Sequence, residues 1–133
     1  MLGIGGKELS EENAAQTAKA LNIIQPDFIR VHATGIKLES KLGEFVRDGS
    51  FTLQSEEEIV IEQKLFLQQL HEMDSYYVNE HIVNLLLEVR GNLRTEKQEM
   101  LSTIDRFLTL PPDERLLFTV GRRLNIFCLL YTS

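Results

Sequence analysis

The period of the apolar positions changes along the chain, and each change marks an element. Met1-Leu2-Gly3-Ile4-Gly5-Gly6 is a short apolar run that ends in glycines. It predicts a strand feeding a tight loop, in which Gly5-Gly6 permits close approach of the backbone. Ser10-Glu11-Glu12-Asn13 follows, an N-cap with acids at the positive end of a helix dipole. Ala14, Ala18 and Leu21 recur at helical spacing, with Ala15 and Ile24 close to the same face. Gln25-Pro26-Asp27 stops this helix, because a residue before proline is pushed out of the α region. From Asp27 to His32, β-branched and aromatic residues stand between turn signals and predict a strand. The chain up to His32 thus spells strand, helix, strand, with a crossover long enough for a parallel βαβ unit of the usual right hand.

The remainder reads as mostly helical. Leu38 to Val46 carries apolar residues at 38, 42, 45 and 46 and ends near Asp48-Gly49. Ser55-x-x-Glu58 is a capping box before a long helix with Ile59, Ile61, Leu65, Phe66 and Leu70 as its apolar positions. Ser75 to Val78 is a candidate short strand. His81 to Val89 is a helix or turn with Ile82, Leu85, Leu86 and Val89 inward, ended by Gly91. Thr95-x-x-Gln98 is a second capping box, leading to Met100, Leu101, Ile104, Phe107 and Leu108. Pro111-Pro112 divides that helix from a last one, which starts around Asp113 and carries Leu116, Leu117 and Val120.

Composition narrows the class. The 133 residues are 43% hydrophobic and 26% charged, ordinary globular usage that argues against disorder and allows one core. The formal charge of −6 argues against nucleic acid as a general partner. No apolar run is long enough to span a bilayer, and no secretory leader is visible, so no membrane partner is expected and the cytoplasm is the expected compartment. The single cysteine, Cys128, rules out an internal disulfide or a cysteine-built metal site within this chain. It opens Cys128-Leu129-Leu130-Tyr131-Thr132-Ser133, which resembles the translation of a transposon-end adapter used in sequencing libraries. A natural apolar tail is the alternative. On the adapter reading the natural sequence stops near Phe127 and the frame is a piece of a gene.

Candidate chemistry is sparse. The turn Gly3-Ile4-Gly5-Gly6-Lys7-Glu8 can bring main-chain groups to a ligand, but it lacks both the P-loop ending and the third glycine of a dinucleotide fingerprint. A tight structural turn is the competing reading. His32 sits at the C-terminal end of a predicted parallel strand, where α/β folds build their sites, and His81 follows another possible strand. For each, a hydrogen-bonded histidine or helix cap is the plainer reading. Arg122-Arg123 is either an anion or partner contact or a pair of cations at a helix C-terminus, and Glu56-Glu57-Glu58 reads as a helix start.

The stretch from Leu2 to about Phe127 resembles the C-terminal part of radical S-adenosylmethionine enzymes. The nearest group is the anaerobic iron–sulfur oxidoreductases related to oxygen-independent coproporphyrinogen oxidase. The resemblance is carried by Leu2 to Glu8, by Pro26 to Val31, by Leu42 to Phe51 with Ser55 to Glu58, and by Tyr77 to Val89 with Arg94 to Lys97, Ile104 to Leu108 and Gly121-Arg122-Arg123. His32 to Lys37 departs from it, lacking the usual Pro-Gly-Thr-Pro.

The resemblance implies an α/β, helix-rich fold: the C-terminal portion of a (β/α)6 partial TIM barrel over residues 1–75, then a mainly helical extension over 76–127, with 128–133 set aside. It implies a parent that binds a 4Fe-4S cluster through a Cys-x-x-x-Cys-x-x-Cys loop, cleaves S-adenosylmethionine reductively and abstracts hydrogen from a small-molecule substrate. Thiolates hold such clusters. The chain lacks that loop, so its expected partner is the missing N-terminal part of the same polypeptide, and neither cofactor is expected to be held by this part alone. The resemblance places Gly3, Gly5, Gly6 and Glu8 beside the cofactor and His32 toward the substrate, and assigns no catalytic residue and no metal ligand. Two alternatives stay open: a small helical protein-interaction module, and a piece of another TIM-type enzyme.

Overall fold

A computed structural model describes residues 1–33, 40–52, 54–79 and 84–132, without the side chains of 42 and 125–132. Thr34 to Lys37, Leu38, His81 and the side chains of the Cys128 to Ser133 tail therefore lie outside the described residues. The chain is helix-rich α/β. Its elements are α1 (Ser10–Ile24), β1 (Phe28–Arg30), α2 (Lys41–Asp48), α3 (Glu56–Gln69), β2 (Tyr76–Val78), β3 (Gly91–Asn92), α4 (Leu93–Thr109) and α5 (Pro112–Thr132). The sheet runs β1-β2-β3, parallel between β1 and β2 and antiparallel between β2 and β3. A parallel bridge, Leu2↔Ala33, adds the N-terminal segment on the outer side of β1. The helix and the second strand of the expected start are thus present, but its first strand is reduced to the single bridge at Leu2, with turns from Gly3 to Leu9.

Local chemistry explains most boundaries. Helix α3 opens with the Ser55/Glu58 capping box, both bonds of which are formed. Helix α2 is capped by Ser40 and stopped by Gly49 at φ +86°, a conformation glycine adopts without penalty. Helix α1 differs from expectation. Ser10 is its first turn and not its cap; its Oγ accepts a bond from Gln54 instead. Gln25 closes that helix in the left-handed region before Pro26. Helix α4 starts at Leu93 and is capped by Asn92, whose Oδ1 accepts from the N–H of Arg94 and Thr95. The Thr95/Gln98 box is therefore not the start, because Asn92 offers a cap three residues earlier. Gly91 does not end a helix. It pairs with Tyr77 in β3, at φ +149°, where a Cβ would strike the Glu96 carboxylate.

One core runs from Leu2 to Phe107 and crosses the expected 75/76 division. β2, assigned to the extension, is the middle strand of the sheet. Ala14 and Ala18 of α1, Val60, Phe66 and Leu67 of α3, and Leu93, Met100 and Ile104 of α4 fill the core with Ile29, Val31 and Tyr77. Each large aliphatic among them contributes about 1.5–3 kcal/mol by leaving water. Leu85, Leu86 and Val89 are inward, as their pattern predicts, although residues 84–90 form turns and no helix. Ile61 faces outward, and its place in the buried stripe of α3 is taken by Glu62 and Gln63. On helix α5, Leu116, Leu117 and Val120 are exposed. Phe118 stacks on Phe107, and Arg115 and Arg123 bond α3, so the polar side of α5 is the one that docks.

Candidate functional site

The C-terminal ends of the parallel strands are where this fold gathers its polar groups. The glycine turn leaves the N-terminal strand and folds on itself, with Gly6 N–H bonded to the Gly3 carbonyl at 3.1 Å. Gly3 and Gly6 have positive φ, +82° and +64°. A Cβ on Gly6 would lie 2.7 Å from the Thr52 carbonyl, and one on Gly5 would lie 2.8 Å from the Leu9 Cβ. The glycines are thus required by the chain's own packing, in agreement with the structural-turn reading.

Glu62 holds the front of this turn. It is fully buried, at 0% exposure. Its Oε2 accepts from the Gly3 N–H at 2.8 Å and from Asn13 Nδ2 at 3.2 Å, while its Oε1 is buried without a hydrogen-bond partner. Asn13 also donates to the Met1 carbonyl, so α1, α3 and the N-terminal strand meet at this carboxylate. The signal in the sequence was a glutamate in the apolar stripe of α3, between Ile59 and Phe66, where a charge needs a partner.

Across the bridge, Leu2 N–H donates to the His32 carbonyl at 2.7 Å. Gly3 and His32 are therefore brought together on adjacent strand ends. Strand alternation past Arg30 puts His32 on the sheet face shared by Phe28 and Arg30, and its side chain is half-buried. Glu8 is not drawn into that group. It is exposed and lies by Thr52, whose hydroxyl bond leads the causes that hold its carboxyl below the ordinary glutamate value.

Two asparagines, which pattern reasoning missed, tie off the ends of β1 and β2. Asn84 donates to the Val31 carbonyl at 2.8 Å and to Asn79 Oδ1 at 2.5 Å, and accepts from the Ala33 N–H at 2.7 Å. Asn79 donates in turn to the Leu86 carbonyl. Both are buried and satisfied, so they tie Asn84 and Leu86 to the ends of β1 and β2. Tyr77 below them is fully buried; burial pushes its hydroxyl well above the ordinary tyrosine value, against a bond from Gln63. Arg122 and Arg123 are mid-helix residues of α5. Arg122 pairs with Glu88 and lies over Phe118, and Arg123 binds Glu56 at 2.5 Å, so the helix C-terminus reading gives way to ion pairing.

Among the described residues no group of three His, Cys, Asp or Glu gathers as a metal-ligand set, and no helix is long and apolar enough to cross a membrane. The amides of Gly3 and Gly6 are committed to Glu62 and Gly3, and that of Lys7 to the Thr52 carbonyl. The turn as folded does not fit the expected adenosyl cradle through those donors. No protein-family model, no curated protein and no solved structure matches the chain.

Proposed function

We propose that this chain is the C-terminal part of a radical S-adenosylmethionine enzyme, supplying the last wall of a (β/α)6 partial barrel and a helical extension. The 4Fe-4S cluster and S-adenosylmethionine belong to the part of the polypeptide ahead of Met1. One observation carries the reading: among the described residues, helices cover one face of the parallel strands, while on the other Phe28, Arg30 and Tyr76 stand exposed and Val78 alone is buried. Ile29 and Tyr77, 5% and 0% exposed, lie under α1 and α3. Phe28 and Tyr76, paired in the same register, stand at 72% and 40% on the other face, with Arg30. Parallel sheets are buried on both faces. In a barrel the second face turns inward and meets the side chains of the other strands.

The cofactors supply the radical chemistry; this chain's residues close the wall and keep water out. No reaction step is assigned to Gly3, Gly5, Gly6 or Glu8, whose interactions are internal, and His32 stands at the strand end on the inward face. Anaerobic reconstitution with iron and sulfide tests the reading. The chain alone is expected to hold no cluster. Joined behind the segment encoded in frame ahead of Met1, it is expected to yield 5′-deoxyadenosine. A stable cluster in the chain alone, or an upstream frame without a Cys-x-x-x-Cys-x-x-Cys loop, overturns it.

A second reading, a helical protein-interaction module, is favoured by the outward Leu116, Leu117, Val120 and Leu124 of α5, which form one apolar stripe. A monodisperse monomer that melts cooperatively with its sheet face open would support that reading over the first.

A further inference from the structure

Parallel pairing uses alternate residues of a strand on alternate edges. The Asp27 carbonyl accepts from Tyr76 N–H at 2.8 Å and Val31 N–H donates to the Val78 carbonyl at 3.1 Å, so residues 27, 29 and 31 serve the β2 edge. Phe28, Arg30 and His32 present their main chain to the opposite edge. There the Leu2 N–H reaches the His32 carbonyl, and the bridge Leu2↔Ala33 sets the register. Among the described residues no strand continues that pairing alongside Phe28 and Arg30.

A cavity of about 70 Å³ opens at the same place, behind the unpaired stretch. It exceeds the room that a single water needs, about 10–15 Å³. Its walls are chiefly apolar, from Ala14 and Leu21 of α1, Phe66 of α3, and Leu2, Ile29 and Val31 of the sheet, with Asn13, Thr17, Arg30 and Glu62 also at its lining.

We infer that a strand runs into Met1, pairs in parallel with β1 along this edge, and seats one apolar side chain in the cavity. The inference rests on the reading that part of the polypeptide lies ahead of Met1. Carrying the register back from Leu2↔Ala33, the residue directly before Met1 falls opposite Val31. Alternation puts its side chain on the face of Leu2 and Ile29, toward the cavity, while Met1, which is exposed, takes the other face. The N–H of that residue meets the Arg30 carbonyl. The Arg30 N–H meets the carbonyl of the third residue before Met1. The occupant is thus an extended segment continuous with a pairing already in place, and its identity is fixed by period: apolar directly before Met1 and again two residues earlier.

Two extended chains test this. Each carries six added residues of alternating valine and lysine ahead of Met1; one puts valine directly before Met1, the other lysine. Amide exchange at Arg30 is followed by NMR, with thermal melting alongside. A one-residue slip moves every apolar side chain to the other face. The in-register chain is expected to slow Arg30 exchange at least tenfold over the unextended chain and to melt higher, and the shifted chain to do neither. Unchanged exchange at Arg30 in the in-register chain, or equal slowing in both extended chains, overturns the inference. The experiment contains no cofactor. Protection at Arg30 with no 5′-deoxyadenosine from the joined protein defeats the radical reading alone; 5′-deoxyadenosine without protection defeats this inference alone.

Discussion

The two faces of the β1–β2 sheet are built from the same kind of residue and meet different surroundings. Ile29 and Tyr77 lie against helices, and Phe28 and Tyr76, their immediate neighbours in sequence, face outward. Apolar residues on both faces of a strand are the mark of a strand meant to be covered twice. The two faces therefore have different surroundings, and single substitutions should feel it unequally.

The largest contrast is expected between Tyr77→Ala and Phe28→Ala. Removing Tyr77 empties a fully enclosed site and should cost about 3–5 kcal/mol, as large aromatic truncations do. Phe28→Ala should stay within about 0.5 kcal/mol. Urea unfolding measures both, and equal losses would break the comparison. Next comes Glu62→Ala on the covered side, which leaves the buried Gly3 N–H without its acceptor. A loss of about 1–3 kcal/mol is expected in the same assay.

A smaller effect separates the two candidate starts of α4, which packs beneath the covered face. Asn92→Ala should lower stability by about 1 kcal/mol, because Asn92 caps the helix. Thr95→Ala at an exposed helical position should change it by less than about 0.5 kcal/mol.

The smallest effect is expected with pH, at the outer end of α3. Burial pushes the Glu58 carboxyl up, but the bonds from Ser55 and the nearby Lys7 ammonium outweigh it, and the group sits below the ordinary value of 4.5. A carboxyl held low in the folded state adds stability that is present above its unfolded value. That stability is lost as the pH falls through the folded value. The melting temperature should therefore drop on the acid side, and Glu58→Gln should flatten that drop by lowering the neutral end while leaving the acid end in place.

The elements that the sequence announced are those whose signals are local. The Ser55/Glu58 box, the Pro26 stop, the Gly49 stop and the Pro111-Pro112 break each act within a turn of chain, and each is where its residues predict. What stayed hidden depends on partners far away in sequence. Asn92 outcompetes Thr95 as a cap in a setting where β3 pairs with β2 and the Asn92 N–H meets Glu96. The period of the α5 apolar residues does not say which way they face; its arginines find Glu56, Glu57 and Glu88, and Leu116, Leu117 and Val120 stand outward. For the candidate site, Gly3 and His32 were legible as strand-end residues, and their adjacency follows from the βαβ unit. Glu62 was not, because its role is set by an amide 59 residues away.

The first turn of α3 deserves a last consequence. Glu56, Glu57 and Glu58 stand in succession, and each holds a different part of the molecule: Arg123 at 2.5 Å, Arg115 at 2.6 Å and Lys7 at 3.3 Å. Two of these tethers lead to the last helix and one to the glycine turn. Fraying of this single turn would release all three ion pairs in one event, while the Glu62–Gly3 bond still holds the head and the Phe107–Phe118 contact the tail.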